Sequence, residues 1–384
     1  MLALDGPYIR LPALATAHSH AFQRGMRGGA QRPSPGATKD GDDFWTWRGE
    51  MYRCATALTP ESFEVVTRIA YRELFRAGVR TVGEFHYVHH QEDGTPYAQR
   101  TLLAELAIAI AKEEGLRIAL LRTAYFRAGP GRQPEPGQRR FCDPSAELVL
   151  RDVEHLCAKY KDDPEVVIGL APHSVRAVPP DYLADLVRFA VARDMPLHMH
   201  VSEVDREVVE CKAETGRVPV DYLADLGALG PRFVAVHATQ ITEAEAQRLG
   251  QSGAYACICA TTERDLGDGL PHLTALRAAG TKLCIGVDSH VITDPIEDLR
   301  ALETHERLRT KSRVTFAEPG RTPAECLWRD GSITTAAACG FEDAGGTLRI
   351  RRDHPTLALV PDDRLLDAVV FSGGAHMVDG IDRG

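Results

Sequence analysis

No apolar run in this 384-residue chain is long enough to cross a bilayer. The best stretch, residues 102–111, has roughly half the ~20 residues a spanning helix needs and is interrupted by Glu105. No basic start followed by an apolar centre and a small-residue cleavage site marks a secretory leader. C-x-x-C pairs are also missing. The nine cysteines (Cys54, Cys142, Cys157, Cys211, Cys257, Cys259, Cys284, Cys326 and Cys339) are odd in number and scattered, which suits reduced, mostly buried thiols in a cytoplasmic protein. Cys257 and Cys259 share one face of an expected strand, where core packing is their simplest role. Basic residues are in deficit: 45 Lys and Arg face 54 Asp and Glu, a net charge of −9. That balance argues against general binding of nucleic acid or of a membrane surface, yet leaves room for a locally basic pocket. Internal repeats and low-complexity tracts are absent.

What the chain does contain is an alternation. Short apolar strand-like segments at 79–85, 116–126, 166–174, 196–203, 233–239, 254–260 and 282–290 each follow a helix-like segment. With the apolar stretch before His18 they make eight. Continuous apolar strands alternating with amphipathic helices indicate a parallel sheet covered on both faces. Eight repeats predict an α/β fold of the (β/α)8 TIM-like barrel type, with an open doubly wound sheet as the alternative. Residues 1–310 are expected to form this barrel. Residues 311–384 are expected to add C-terminal helices, over 317–340, and a short extended tail, over 348–373, packed on it. Two Gly- and Pro-rich loops, 28–43 and 128–140, follow expected strands and so fall on the catalytic face.

The polar residues at the strand ends form a pattern. His18-Ser19-His20 closes the first strand, and residues two apart on a strand share a face, so both imidazoles can reach one ion. His173 ends the fourth strand, His198 and His200 lie on the fifth with Glu203 beyond it, His237 ends the sixth, and Asp288-Ser289-His290 ends the eighth. In a barrel these ends converge on one mouth. Three or four imidazoles and a carboxylate suit one zinc ion with an open position for water, another divalent metal such as Fe2+ being left open. The expected ligands are His18, His20, His200 and Asp288. His198 competes with His200 but sits one pleat deeper, which favours a buried supporting role. His89 and His90 read as loop packing. The middle strands carry no lysine that could bridge two metals, so a single metal is expected. Glu203 is placed to act as general acid and base, its alternative being a solvated glutamate at a helix start capped by Ser202. Asp288 can also take a proton, and His237 can polarise the substrate.

These residues, with the words Phe44-Trp45-Thr46-Trp47-Arg48, Glu84-Phe85-His86-Tyr87-Val88-His89-His90, His173-Ser174-Val175-Arg176 and Leu266-Gly267-Asp268-Gly269, carry a resemblance. The chain resembles the amidohydrolase superfamily in its mononuclear zinc deaminase branch, and within that branch the formimidoylglutamate deiminases of histidine degradation. The resemblance runs from about Leu11 to Gly374. It implies hydrolysis of N-formimidoyl-L-glutamate to N-formyl-L-glutamate and ammonia, by attack of zinc-bound hydroxide on the amidine carbon. It also implies a small anionic amidine as the partner molecule, with Gln23, Arg48, Tyr87, Arg176 and His237 contacting it. The plain alternatives are an exposed loop arginine for Arg48 and a structural ion pair for Arg176.

The sequence departs from that pattern at its edges. It begins 17 residues before His18, residues 347–360 look eroded as a strand, and Val204 replaces a usually polar residue. The small β-domain of the family is therefore expected to be vestigial or missing. Two other readings stay open: a deaminase of another amidine, guanidine or aminopurine, and a catalytically silent binding barrel. A homodimer is compatible with the sequence.

Overall fold

The computed structural model describes residues 2–32 and 44–383, so most of the expected loop at 28–43 lies outside the described residues. Eight strands form one parallel sheet in chain order: β3 (Leu14–Ser19), β4 (Val79–His86), β5 (Arg117–Ala124), β6 (Val166–Pro172), β7 (Leu197–Val201), β8 (Phe233–His237), β9 (Tyr255–Ile258) and β10 (Lys282–Ile285). β3 to β5 are buried along their whole length, because helices cover one face and the barrel interior takes the other. The (β/α)8 barrel expected from the sequence is the fold of this chain.

The barrel closes between its first and eighth strands. Val287 N donates to Thr16 Oγ1 at 2.9 Å, Asp288 N to His18 O at 3.0 Å, and His20 N to Asp288 O at 3.0 Å. A parallel bridge pairs Ser19 with Asp288. Inside the barrel the side chains are small or sulfur-bearing: Ala15, Ala17, Ala119, Val234, Val236, Cys257, Cys259 and Cys284. The short helix Thr335–Ala338 fills one end of this interior with Ala336 and Ala338, beside Cys339. All nine cysteines are free thiols.

A second, antiparallel sheet has the order β1 (Ala3–Asp5), β2 (Tyr8–Pro12), β11 (Gly346–Arg351) and β12 (Val378–Arg383). It joins residues on both sides of the division at 310 expected from the sequence, so β11 and β12 are more than a tail packed on the barrel. The stretch that looked eroded forms β11, paired with β2 with Arg10 opposite Arg349. Only alternate residues of this sheet need to be apolar. Ile9, Leu11, Leu348 and Ile350 face inward and are buried, while Arg10 and Arg349 on the other face both pair with Asp382. Residues 352–373, expected to be extended, instead contain the helix Leu365–Ser372. Trp328, fully buried, donates from Nε1 to Pro12 O at 3.0 Å and ties the helix Pro323–Arg329 to β2. Among the described residues no helix is long and apolar enough to cross a membrane.

Close strand packing makes one glycine critical. A Cβ on Gly83 of β4 would lie 2.5 Å from Ala17 O and 3.1 Å from Cys339 Sγ. Gly83→Ala is expected to destabilise the fold by about 1–3 kcal/mol, read as a lower urea midpoint at unchanged slope.

Candidate metal centre and substrate pocket

The strand ends bring the expected residues to one mouth. His18, His20 and His200 each offer a ring nitrogen within 4.8 Å of the others. His18 Nε2 lies 3.1 Å from His200 Nε2, and Asp288 Oδ1 is 3.4 Å from His18 Nε2 and 3.3 Å from His20 Nε2. Two of the outer ring nitrogens are engaged, His20 Nδ1 with Phe85 O and His200 Nδ1 with His173 O, both at 2.9 Å, while His18 Nδ1 has no partner among the described residues. A neutral imidazole that donates from Nδ1 to a carbonyl turns its Nε2 lone pair to the other side. Burial, then the neighbouring His18, pulls His20 down to about 3, so it is neutral at physiological pH. Burial resists charge on Asp288, but His18, His20 and His237 hold it well below the usual carboxylate range. Two inward lone pairs, the His18 Nε2 beside them and one ionised carboxylate fit a divalent ion, and this donor set suits zinc.

The backbone here is constrained. Ser202, His237, Asp288 and His290 all have φ between +52° and +69°. Such conformations cost about 1–3 kcal/mol each in residues other than glycine and persist where surrounding structure imposes them. Ser19, between the two expected ligands, donates to Glu84 Oε2 at 2.7 Å, and Glu84 Oε1 accepts the Ala21 N–H at 2.9 Å. Burial pushes Glu84 up to about 7.

His237 Nε2 faces Glu203 Oε1 at 3.4 Å and Asp288 Oδ2 at 3.8 Å, while its Nδ1 meets Glu263 Oε1 at 3.2 Å. Burial opposes charge on His237, yet Glu203, Glu263 and Asp288 raise it well above the ordinary imidazole range. Glu203 is buried, so it is not a solvated helix-start residue; burial and Asp288 raise it, and His237 and Arg176 oppose the rise. Glu263 had no role assigned from the sequence. It also accepts the Cys259 N–H at 2.9 Å and so fixes the His237 ring from behind. Its sequence signal was an acid five residues after Ile258, the last residue of β9.

A pocket opens in front of this cluster, lined by His20, His200, Glu203, His237 and Asp288 and also by Arg48, Arg176 and aromatic rings. Arg48, on the helix Phe44–Thr56, is 8% exposed and lies 4.3 Å over the Trp45 ring, so it is no exposed loop arginine. Arg176 is 2% exposed and forms no ion pair among the described residues. Nε and Nη1 of both arginines are buried without a hydrogen-bond partner among the described residues. Gln23 Nε2 donates to Tyr87 OH at 2.7 Å, and both residues line the pocket. His198 points into the barrel interior and bonds Ala338 O at 3.0 Å. His89 and His90 lie away from the pocket, His89 Nε2 against Thr123 O at 3.0 Å and His90 against Asp143 at 3.3 Å.

The sequence profile of the Amidohydrolase family matches residues 9–354. The chain belongs to the amidohydrolase family. It is 38% identical to a formimidoylglutamate deiminase of Pseudomonas aeruginosa over 96% of this chain and 82% of that one. It is 30% identical to an 8-oxoguanine deaminase of the same species over 98% of this chain and 84% of that one. A crystal structure of an amidohydrolase from Brucella melitensis superposes with a TM-score of 0.88 at 32% identity, covering 100% of this chain and 89% of the other. This amidohydrolase is accordingly a hydrolase of carbon–nitrogen bonds.

Beside the pocket of the amidohydrolase, Glu207 is buried and accepts the Ser202 N–H at 2.8 Å through Oε1, while Oε2 has no partner. Burial pushes Glu207 up to about 7, against the pull of Arg176. A carboxyl raised on folding binds its proton more tightly in the native state, so stability falls as pH rises from about 4.5 towards 7. In Glu207→Gln this contribution is expected to disappear. The variant should gain about 1–3 kcal/mol over the parent between pH 5 and 8, measured by urea unfolding at each pH.

Proposed function

We propose that this amidohydrolase is a zinc-dependent deiminase that hydrolyses N-formimidoyl-L-glutamate to N-formyl-L-glutamate and ammonia. The observation that carries the reading is the charge lining the pocket: the buried carboxylates Glu203 and Asp288, and two buried guanidinium groups whose Nε and Nη1 have no partner among the described residues. A formimidoyl group is a cationic amidine, and the glutamate part carries two carboxylates. The substrate therefore matches both kinds of charge at once. The 38% identity to a formimidoylglutamate deiminase supports the same assignment. An aminopurine brings no carboxylate for the two arginines, and their buried Nε and Nη1 would stay without an acceptor among the described residues.

His18, His20, His200 and Asp288 would hold one divalent ion, which supplies Lewis acidity towards water at neutral pH. Glu203 and Asp288 neutralise the amidine cation and set its carbon at the mouth of the barrel. Asp288 accepts a proton from the attacking water. Glu203, raised by burial, takes up the proton released in the attack and passes it to the nitrogen that leaves as ammonia. His237, held by Glu263, donates from Nε2 to the oxygen gained by the amidine carbon. Arg48 and Arg176 receive the carboxylates, for which the guanidinium fork is suited. Gln23 and Tyr87 complete the wall beside the reacting carbon.

Ammonia release from formimidoylglutamate is expected to exceed that from unrelated amidines, guanidines and aminopurines by at least about a hundredfold in kcat/KM; parity across such a panel sinks the assignment. Arg176→Met is expected to lower kcat/KM for the dicarboxylate substrate by about a hundredfold with full metal content, read by steady-state kinetics and metal analysis. Glu203→Ala should keep its metal and lose at least about a thousandfold in kcat.

A further inference from the structure

Gln138 lies on the short turn Pro136–Phe141, in the loop that follows β5, and is completely buried. Its side-chain amide is fully committed. Oε1 accepts the backbone N–H of Glu135 at 2.8 Å, which fixes the orientation of the amide. Nε2 therefore faces the other way and donates to Tyr52 OH at 2.8 Å and Tyr125 OH at 2.7 Å. Both rings line the pocket, with Arg48 5.4 Å over the Tyr52 ring. The loop is pressed against this pair: a Cβ on Gly137 would lie 2.8 Å from Tyr52 Cβ.

An amide NH2 group only donates, so each phenol oxygen must accept, and each keeps its own proton for another acceptor. Both phenol oxygens lie within hydrogen-bond distance of the same nitrogen, so even if one hydroxyl turned to the other, the second proton would stay free. At least one O–H then remains to point into the pocket, where the partnerless nitrogens of Arg48 and Arg176 already await an anion. Burial, and next the neighbouring Tyr125, raise Tyr52 well above the ordinary phenol range, so it stays protonated at neutral pH.

We infer that Gln138 is a positioning residue for the anion end of the pocket: it forces Tyr52 and Tyr125 to act as hydrogen-bond donors to a substrate carboxylate alongside Arg48 and Arg176. The inference rests on the reading that a carboxylate-bearing substrate occupies this pocket. It adds the residues that select an acceptor-only group there. An amide in place of the carboxylate would set its NH2 against these donors, and a hydroxyl would offer one oxygen where a carboxylate offers two.

The test uses the metal-loaded enzyme and glutarate, a dicarboxylate without an amidine, with affinity measured by calorimetry. In Gln138→Glu a carboxylate demands both phenol protons and turns them away from the pocket. Glutarate should bind about tenfold more weakly, and KM for formimidoylglutamate should rise by a similar factor, while kcat stays within about threefold. Charge alone would also weaken anion binding, so the decisive readout is a double-mutant cycle. In the parent, at least one of Tyr52→Phe and Tyr125→Phe should weaken glutarate several-fold; in the Gln138→Glu background neither should weaken it further. Full additivity of these effects, or unchanged glutarate affinity in Gln138→Glu, overturns the inference. Should Gln138→Glu fail to fold, the two tyrosine variants decide alone, and unchanged affinity in both overturns it. Loss of glutarate affinity in a protein that does not turn over formimidoylglutamate would support the anion subsite and refute the proposed reaction. Turnover of formimidoylglutamate with glutarate affinity untouched would do the reverse.

Discussion

The seam between β3 and β10 is the constraint on which the rest of the molecule depends. The backbone bonds that close the barrel join His18 and His20 to Asp288, the residues that bring donor atoms to the mouth. Closure and assembly of the centre are one event. An open sheet would leave Asp288 without His18 and His20, and a barrel closed in another register would turn the imidazoles into the wall. The left-handed backbone at Asp288 and His290 fits this view, since the chain must bend sharply as it leaves the last strand to present its carboxylate.

From that seam the electrostatics of the pocket follow. Acidic groups gather around the imidazole cluster, and buried guanidinium groups packed on aromatic rings line the same pocket. Each set of charges is uncomfortable by itself. Glu203 is raised by its surroundings, and the arginines leave donors unsatisfied. A ligand with a cation at one end and anions at the other relieves both. Affinity and orientation thus come from the same arrangement, because a reversed ligand would set like charges together.

Much of this was legible in the sequence. The apolar strands announce a parallel barrel, and once the barrel is granted, a histidine or aspartate at a strand's carboxyl end has one destination. His18, His20, His200, His237 and Asp288 needed only period two and the strand count. Glu263 and Gln138 were not legible in this way. Their importance lies in what a short turn points at, and that depends on contacts with β8 and with the helix Phe44–Thr56. The accessory sheet was underestimated for a different reason. β11 has only two inward apolar residues, Leu348 and Ile350, and they become a strand only once Ile9 and Leu11 are beside them. Local pattern alone cannot reveal a partner more than three hundred residues away.

That accessory sheet has a kinetic meaning. Arg10 reaches Asp382 across 372 residues, and the barrel seam links Thr16 to Val287 across 271. Contacts so remote in the chain carry a high entropic cost before they return any stabilisation, and they slow folding. During synthesis β2 and β3 leave the ribosome early and wait for partners made near the end. Their unpaired edges are open to other chains throughout that interval, and this favours wrong pairing at β2 and β3.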